Sequence, residues 1–217
     1  PEAARKKEKL VKLLMSNSYA LLTTGNRLKI LNNGDKTFRA LFQTLEQAKH
    51  HIHLEYYIID EDETGNELKE ILMRKSREGV EVRLIIDDVG CWGLSRRYLR
   101  DLKDAGVDVR SFMEVRFPRF THRVNYRNHR KIAVVDGRVG FTGGINIADR
   151  YRKGLEKIGP WRDTHLQIEG DAVLSLQAVF AADWYFMSRE NLTGTDYFPP
   201  MTMEPGMAVQ ISASGPD

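Results

Sequence analysis

The sequence predicts an α/β fold in which a mostly parallel β-sheet is covered by helices. Three apolar, β-branched segments indicate strands at Ile52–Ile59, Val80–Ile86 and Val107–Phe112. Helical segments at Thr64–Glu78 and Ser95–Asp104 separate them, and a glycine follows each helix as a stop signal. Strands that alternate with helices of this length are typical of parallel sheets.

Further elements are predicted on both sides of this alternating region. They are helices at Arg5–Met15, Phe38–Leu45 and Ala172–Ser188, and strands at Leu28–Leu31, Thr164–Ile168 and Met207–Ile211. We expect the first helix to pack on the body of the domain, in preference to lying on a membrane surface. Thr64 and Glu67 resemble a capping box at the start of their helix.

A hairpin brings polar side chains close to a tight turn. Arg130–Val135 indicates a buried strand, Asp136-Gly137 is a strong turn signal, and Arg138–Thr142 indicates the return strand. Residues two apart on a strand point the same way, so His129 and Lys131 are expected on one face.

Asn146 follows the glycine pair Gly143-Gly144, where bare backbone can approach a ligand closely. Its amide could converge with the imidazole and the ammonium on one anionic centre. Asp136 lies an odd number of residues from His129 and opens the turn, so we interpret it as a structural residue. Glu55 lies among apolar residues, where a carboxylate must be paired or belong to a site.

Composition excludes few classes of function. The chain has 217 residues, a formal net charge of +3 and one cysteine, so it cannot form an intrachain disulfide. No apolar run is long enough to span a bilayer. Because the chain opens with Pro1 and ends just after a predicted strand, we expect an excised, soluble piece of a longer protein.

The segment Met113–Arg127 is basic and contains interleaved aromatic residues. Three interpretations compete: a plain surface loop, a nucleic-acid surface, and a loop on an anionic membrane. Composition favours the plain loop.

The spacing His129-x-Lys131-x4-Asp136-x6-Gly143-Gly144-x-Asn146 resembles the signature of the phospholipase D superfamily. The segments Ile52–Ile58, Asn125–Lys131 and Trp161–Thr164 also resemble the bacterial cardiolipin synthase branch. The resemblance covers residues 25–217 and leaves residues 1–24 as a helical lead-in. It implies a mixed, largely parallel sheet with helices on both faces, one of two pseudo-twofold-related halves.

The resemblance also assigns roles to residues. His129 would be the nucleophile that forms a phosphohistidine, and Lys131 and Asn146 would stabilise the phosphate oxygens. Asp163 would orient His129, with Glu55 as the second candidate for that acid. The expected substrate-binding residues are Glu55, Arg127, Gly143 and Gly144. No cofactor is expected, and no cluster of histidine, cysteine and acidic residues has metal-ligand spacing.

The sequence departs from the family in one respect. Enzymes of this branch carry two such motifs, whereas no second His-x-Lys-x4-Asp occurs here. The proton donor for the leaving group would therefore come from a second half of the same chain or from a homodimer mate.

The resulting hypothesis is the N-terminal catalytic half of a cardiolipin synthase-like phosphatidyltransferase. It would act on phosphatidylglycerol or another anionic phospholipid, at the cytoplasmic membrane in the full-length parent. The alternatives are a homodimeric phosphodiesterase or nuclease, for which nucleic acid is the less favoured partner, and a non-catalytic module that binds anionic lipid.

Overall fold

The computed structural model describes residues 2–112, 127–155, 159–201, 204 and 206–214, with side chains from residue 7. Along these ranges the helices are α1 (Glu2–Ser18), α2 (Asn33–Glu46), α3 (Glu63–Arg77), α4 (Arg96–Asp104), α5 (Asp149–Lys153) and α6 (Ala172–Ser188). The strands are β1 (Leu22–Asn32), β2 (His51–Tyr56), β3 (Glu81–Asp87), β4 (Asp108–Phe112), β5 (Lys131–Val135), β6 (Val139–Gly143), β7 (Thr164–Gly170) and β8 (Met207–Gln210).

The strands form a single mixed sheet in the order β4-β3-β2-β5-β6-β7-β1-β8. Only β2 with β3 and β3 with β4 pair in parallel, and the other five neighbouring pairs are antiparallel. The predicted α/β class is confirmed, but the expectation of a largely parallel sheet is wrong. A crossover helix permits a parallel neighbour without dictating one. Only α3 and α4 connect strands that are adjacent and parallel, whereas α5 lies between the adjacent antiparallel strands β6 and β7.

Helices cover both faces of the sheet, as predicted. One core lies beneath α2, α3 and α4 and includes Phe38, Leu41, Leu68 and Leu102. Smaller cores on the opposite face lie beneath α6. The buried apolar side chains of α6 recur every three or four residues, at Ala172, Val173, Leu176, Phe180 and Trp184. This spacing forms one apolar stripe along the helix.

The predicted hairpin forms between β5 and β6, with register pairs from Ile132 opposite Thr142 to Val135 opposite Val139. Asp136 has φ 54° and Gly137 has φ 63°. Two consecutive left-handed residues make a turn whose twist matches that of the flanking strands, and aspartate followed by glycine is favoured there. The turn fixes the position of β5, and β5 begins at Lys131, two residues after His129.

One further outcome concerns the start of α3. The N-cap of α3 is Asp62, whose Oδ1 accepts a hydrogen bond from the N–H of Gly65 at 3.0 Å, so the capping box expected at Thr64 is wrong. The basic segment Met113–Arg127 falls, except for Arg127, outside the described residues. Among the helices of the described ranges, none is long and apolar enough to cross a membrane.

Candidate active site

His129 and Lys131 lie against one aromatic ring, that of Tyr57. The imidazole of His129 stacks on the Tyr57 ring with centroids 4.0 Å apart and planes inclined by 29°. The Nζ atom of Lys131 lies 5.2 Å from the centroid of the same ring and donates a hydrogen bond to the carbonyl oxygen of His129 at 2.5 Å. The Lys131 side chain is buried, whereas His129 is exposed. An accessible imidazole is thus held beside a buried ammonium.

Two buried carboxylates hold the backbone that carries His129. Asp87, at the end of β3, accepts a hydrogen bond from the N–H of Asn128 at 3.1 Å, and its other oxygen accepts from two N–H groups of its own loop. The amide of Asn128 donates to Oε1 of Glu55 and accepts from the N–H of Arg130 at 3.0 Å. These bonds fix both sides of His129 before any ligand binds.

The environment of Lys131 combines burial with a nearby carboxylate. Burial lowers the pKa of Lys131, and the charge of Asp163 opposes that shift. The Asp163 carboxylate accepts hydrogen bonds from the N–H of Thr164 at 2.7 Å and from the indole of Trp161 at 3.4 Å. Within the described ranges no hydrogen bond joins Asp163 to His129, so its orienting role stays a prediction.

The glycine pair Gly143-Gly144 makes room for two side chains. A Cβ atom on Gly144 would lie 2.4 Å from Oδ1 of Asp163, and one on Gly143 would lie 2.5 Å from Nδ1 of His165. The glycines expected to approach substrate therefore approach Asp163 and His165 directly. Whether they also contact substrate stays a prediction.

His165 is a site residue that sequence reasoning missed. It is fully buried on β7 opposite Gly143, and neither ring nitrogen has a hydrogen-bond partner among the described residues. Burial lowers its pKa to about 4, and the Lys131 charge adds to that shift while the Asp163 charge opposes it. Its place two residues after Asp163 on a strand was the available signal, because alternation puts both on one face.

Asn146 is buried and bonded on both sides of its amide. Its Oδ1 accepts from the N–H of Ile58 at 3.1 Å, and its Nδ2 donates to the hydroxyl of Tyr151 at 2.8 Å. Asn146 therefore fixes the backbone directly after Tyr57 and ties it to α5. The amide retains a second N–H, and donation from it to a phosphate oxygen stays a prediction.

Glu55 and Arg127 occupy different surroundings from those of Lys131. Glu55 faces α6 on the opposite side of the sheet, where burial, followed by the proximity of Asp183, raises its pKa well above the usual range. The Nη1 atom of Arg127 lies 3.7 Å from Oδ1 of Asp87, and its two terminal nitrogens have no hydrogen-bond partner among the described residues.

Asp136 contacts backbone, away from His129. Its carboxylate accepts hydrogen bonds from the N–H groups of Lys49, His50 and His51 at 2.8–2.9 Å. These bonds join the hairpin turn to the segment that enters β2. This geometry agrees with the interpretation of Asp136 as a structural residue.

A cavity of about 660 Å³ opens beside His129. Its basic and polar lining residues include Arg127, His129, Arg130, Lys131 and Gln210. Its apolar lining residues are Phe112, Ile132, Leu176, Val179, Ile211 and Ala213. A cavity lined by both basic and apolar side chains can accommodate an anion attached to an apolar chain.

Residues 41–184 match the family described as cardiolipin synthase, PLD-like domain. The chain belongs to this family. It is 49% identical over 198 residues to the cardiolipin synthase of Geobacillus kaustophilus, and 43% identical over 196 residues to cardiolipin synthase 1 of Bacillus anthracis. The matches cover 90% and 87% of this chain but only 39% and 38% of those proteins. The chain thus spans about two fifths of the length of the curated relatives it matches.

The fold of this cardiolipin synthase-family chain is shared with solved structures of low sequence identity. Phosphatidylserine synthase of Haemophilus influenzae is 17% identical with a TM-score of 0.62, over 94% of this chain and 51% of that chain. Nuc of Salmonella typhimurium, a phospholipase D family member, is 15% identical with a TM-score of 0.56, over 78% of this chain and 99% of that chain. The family match and the curated relatives confirm the resemblance to the phospholipase D superfamily, and these two structures share the fold.

Among the residues that the structure describes, no group of three or more histidine, cysteine, aspartate and glutamate side chains is placed to hold a metal ion.

Proposed function

We propose that this chain is the nucleophile-bearing half of a cardiolipin synthase-like phosphatidyltransferase. The observation that carries the proposal is the exposed imidazole of His129, stacked on Tyr57 beside the buried ammonium of Lys131. An uncharged nucleophile next to a fixed cation suits attack on a phosphodiester, because the cation offsets charge on the non-bridging oxygens. Membership of the cardiolipin synthase family supports the same reaction.

In the first step an imidazole nitrogen of His129 attacks the phosphorus of phosphatidylglycerol. A nitrogen–phosphorus bond forms, the phosphorus–oxygen bond to glycerol breaks, and the leaving oxygen takes up a proton. In the second step the headgroup hydroxyl of another phosphatidylglycerol attacks the same phosphorus and loses its proton. The product is cardiolipin, and His129 is released unchanged.

Lys131 would bind the phosphate oxygens through both steps. Its buried position strengthens the interaction, because charge–charge attraction is less screened away from water. Asn146 and Arg127 would add donors, and Asp163 would favour the charged form of the site. Water or another headgroup would use the same groups as an acceptor.

The cavity supports a lipid in preference to a nucleic acid. Its wall toward α6 is formed by Ile132, Leu176 and Val179, which offer no hydrogen bonds to a sugar or a base. An acyl chain or glycerol backbone would lie against this wall, and its phosphate would lie near His129 and Lys131. The full-length protein would then draw its substrate from the cytoplasmic membrane.

The leaving-group acid would come from a second catalytic half in the parent chain, or from a second copy of this chain. Within the described ranges the only other histidine beside Lys131 is His165, which is fully buried and has a pKa of about 4. Such a group is neutral near pH 7 and is poorly suited to protonate an alkoxide. This supports an external donor.

An activated diester separates nucleophilic attack from leaving-group protonation. With bis(p-nitrophenyl) phosphate the leaving p-nitrophenolate needs no proton, so this chain alone should release a burst of one p-nitrophenolate for each chain. His129→Asn should abolish the burst. In the full-length parent, His129→Ala should abolish cardiolipin formation from phosphatidylglycerol, and retained formation would refute the proposal.

The same preparations test the rival functions. Salt-sensitive hydrolysis of DNA that is lost on His129→Asn would favour a nuclease dimer. Salt-sensitive binding to anionic liposomes without any burst, unaffected by His129→Asn, would favour a non-catalytic lipid-binding module.

A further inference from the structure

The geometry points to Tyr57 as a positioning residue whose ring face holds His129 and Lys131 in their reactive arrangement. The inference rests on the proposed function, because it assigns Tyr57 a role in attack by His129. Tyr57 contacts both groups, with the imidazole centroid at 4.0 Å and the lysine Nζ at 5.2 Å from its ring centroid.

The position of Tyr57 is itself fixed from three directions. Tyr57 directly follows β2 in the sequence, and Tyr56, the last residue of β2, is paired with Lys131. Its carbonyl oxygen lies against Gly90, where a Cβ atom would come within 1.9 Å, and near Sγ of Cys91 at 3.5 Å. The next N–H, from Ile58, is bound by Asn146. These contacts fix the backbone that carries the Tyr57 ring.

The chemistry of the ring face suits the reaction. The face of an aromatic ring carries negative potential and attracts cations. When His129 attacks phosphorus, positive charge develops on the imidazole, and Lys131 is charged throughout. The Tyr57 ring attracts both positive groups and stabilises the imidazole more after attack than before it. Tyr57 thus favours the transition state without contacting the substrate.

The ring face, and not the phenol hydroxyl, supplies this effect, which makes the substitution series discriminating. Tyr57→Phe retains the face, whereas Tyr57→Leu removes it and keeps an apolar side chain. Tyr185→Leu is the matched control, since Tyr185 is an exposed tyrosine of α6 that contacts Arg189 and does not line the cavity.

The test measures burst rate and substrate affinity with bis(p-nitrophenyl) phosphate on the 217-residue chain. Tyr57→Leu should lower the rate constant of the burst about tenfold with little change in the half-saturating concentration, whereas Tyr57→Phe should stay within about threefold of wild type. Tyr185→Leu should match wild type. A separate readout is the proton NMR shift of the His129 ring, assigned with His129→Asn. The Tyr57 ring current should move it upfield in wild type, and Tyr57→Leu should remove that displacement.

Each outcome decides the inference. An unchanged burst in Tyr57→Leu, an equal loss in Tyr57→Leu and Tyr57→Phe, or an unmoved His129 signal would overturn it and leave the proposed function standing. A wild-type chain without any burst would overturn the proposed function, and the inference with it. Should Tyr57→Leu not fold, pentafluorophenylalanine at position 57 keeps the ring's shape and removes its negative face, and a wild-type burst rate in that variant would overturn the inference.

Discussion

The carboxylate of Asp163 occupies the space that a side chain at Gly144 would need, with a virtual Cβ atom only 2.4 Å from Oδ1 of Asp163. The neighbouring Gly143 faces backbone as well as the His165 ring, since its virtual Cβ lies 2.7 Å from the Cα atom of His165 and from the carbonyl oxygen of Thr164. A carboxylate at the end of a side chain can rotate away, whereas a paired strand cannot.

The two glycines should therefore respond differently to alanine. Gly144→Ala should fold with a free energy of unfolding within about 1 kcal/mol of wild type, yet lose most of the burst because Asp163 is displaced. Gly143→Ala should lose about 2 kcal/mol or more, because β6 and β7 must separate. Urea unfolding and the p-nitrophenolate burst measure the two effects. Equal destabilisation by both substitutions would contradict this reading of the glycine pair.

Asp136 should contribute to stability through the three N–H groups that it binds. Asp136→Ala removes a charged acceptor from three backbone donors and places alanine at φ 54°, so the free energy of unfolding should fall by about 2–4 kcal/mol. Asp136→Asn tolerates the left-handed conformation and keeps one acceptor oxygen, so its loss should be smaller. Thermal or urea unfolding checks the order, and a burst amplitude that remains normal per folded molecule would separate stability from chemistry.

Buried histidines should make the protein sensitive to acid. Burial lowers the pKa values of His51 and His165 to about 4, whereas an unfolded histidine titrates near 6.5. The folded state then binds fewer protons than the unfolded state, so stability is fully present above pH 6.5 and falls as the pH drops toward 4. At pH 5 the loss should be about 2 kcal/mol for each histidine.

Urea unfolding at pH 7.5 and pH 5 measures this loss. Glu55 acts in the opposite sense, because its raised pKa stabilises the folded state as the pH falls. The difference between wild type and His51→Gln isolates the histidine, since both proteins contain Glu55. A pH dependence identical in the two proteins would show that His51 is not held neutral.

The apolar wall of the cavity should matter for lipid and not for a small diester. Val179→Asn places an amide on the wall formed by α6, so phosphatidyl transfer by the full-length parent should fall about tenfold through the lost apolar contact. The burst with bis(p-nitrophenyl) phosphate should be unchanged, because that substrate has no acyl chain to contact this wall. Ala178→Asn, at an exposed neighbouring position of α6, is the control. Equal loss with both substrates would place the lipid elsewhere.

Local chemistry was sufficient to predict the hairpin and its turn. Asp136-Gly137 determines a two-residue turn, and alternation then places Lys131 and the turn carboxylate relative to His129. The direction of the sheet was not predictable in this way. Whether a helix returns its chain to a parallel or an antiparallel neighbour depends on which strands are adjacent, and that is decided by packing across the whole sheet.

The missed site residues share a different cause. Tyr57 and His165 contact residues that are distant in sequence, and such contacts depend on register and, for His165, on the absent side chain of Gly143. The prediction of a capping box at Thr64 was wrong for a similar reason. The hydroxyl of Thr64 donates to Asp149, 85 residues away, and this tertiary bond replaces the local one that the capping pattern predicts.

The carboxylate of Asp87 binds the backbone of two loops, one after β3 and one that bears His129, and so anchors both. Neither loop can then be remodelled alone. An insertion or a substitution that draws Asp87 toward its own loop releases Asn128, and with it the backbone that carries His129. Related sequences that keep the aspartate should vary in the outer parts of both loops while preserving their lengths next to it. Engineers who wish to alter the cavity would do better to redesign the α6 wall, which shares no hydrogen bond with this anchor.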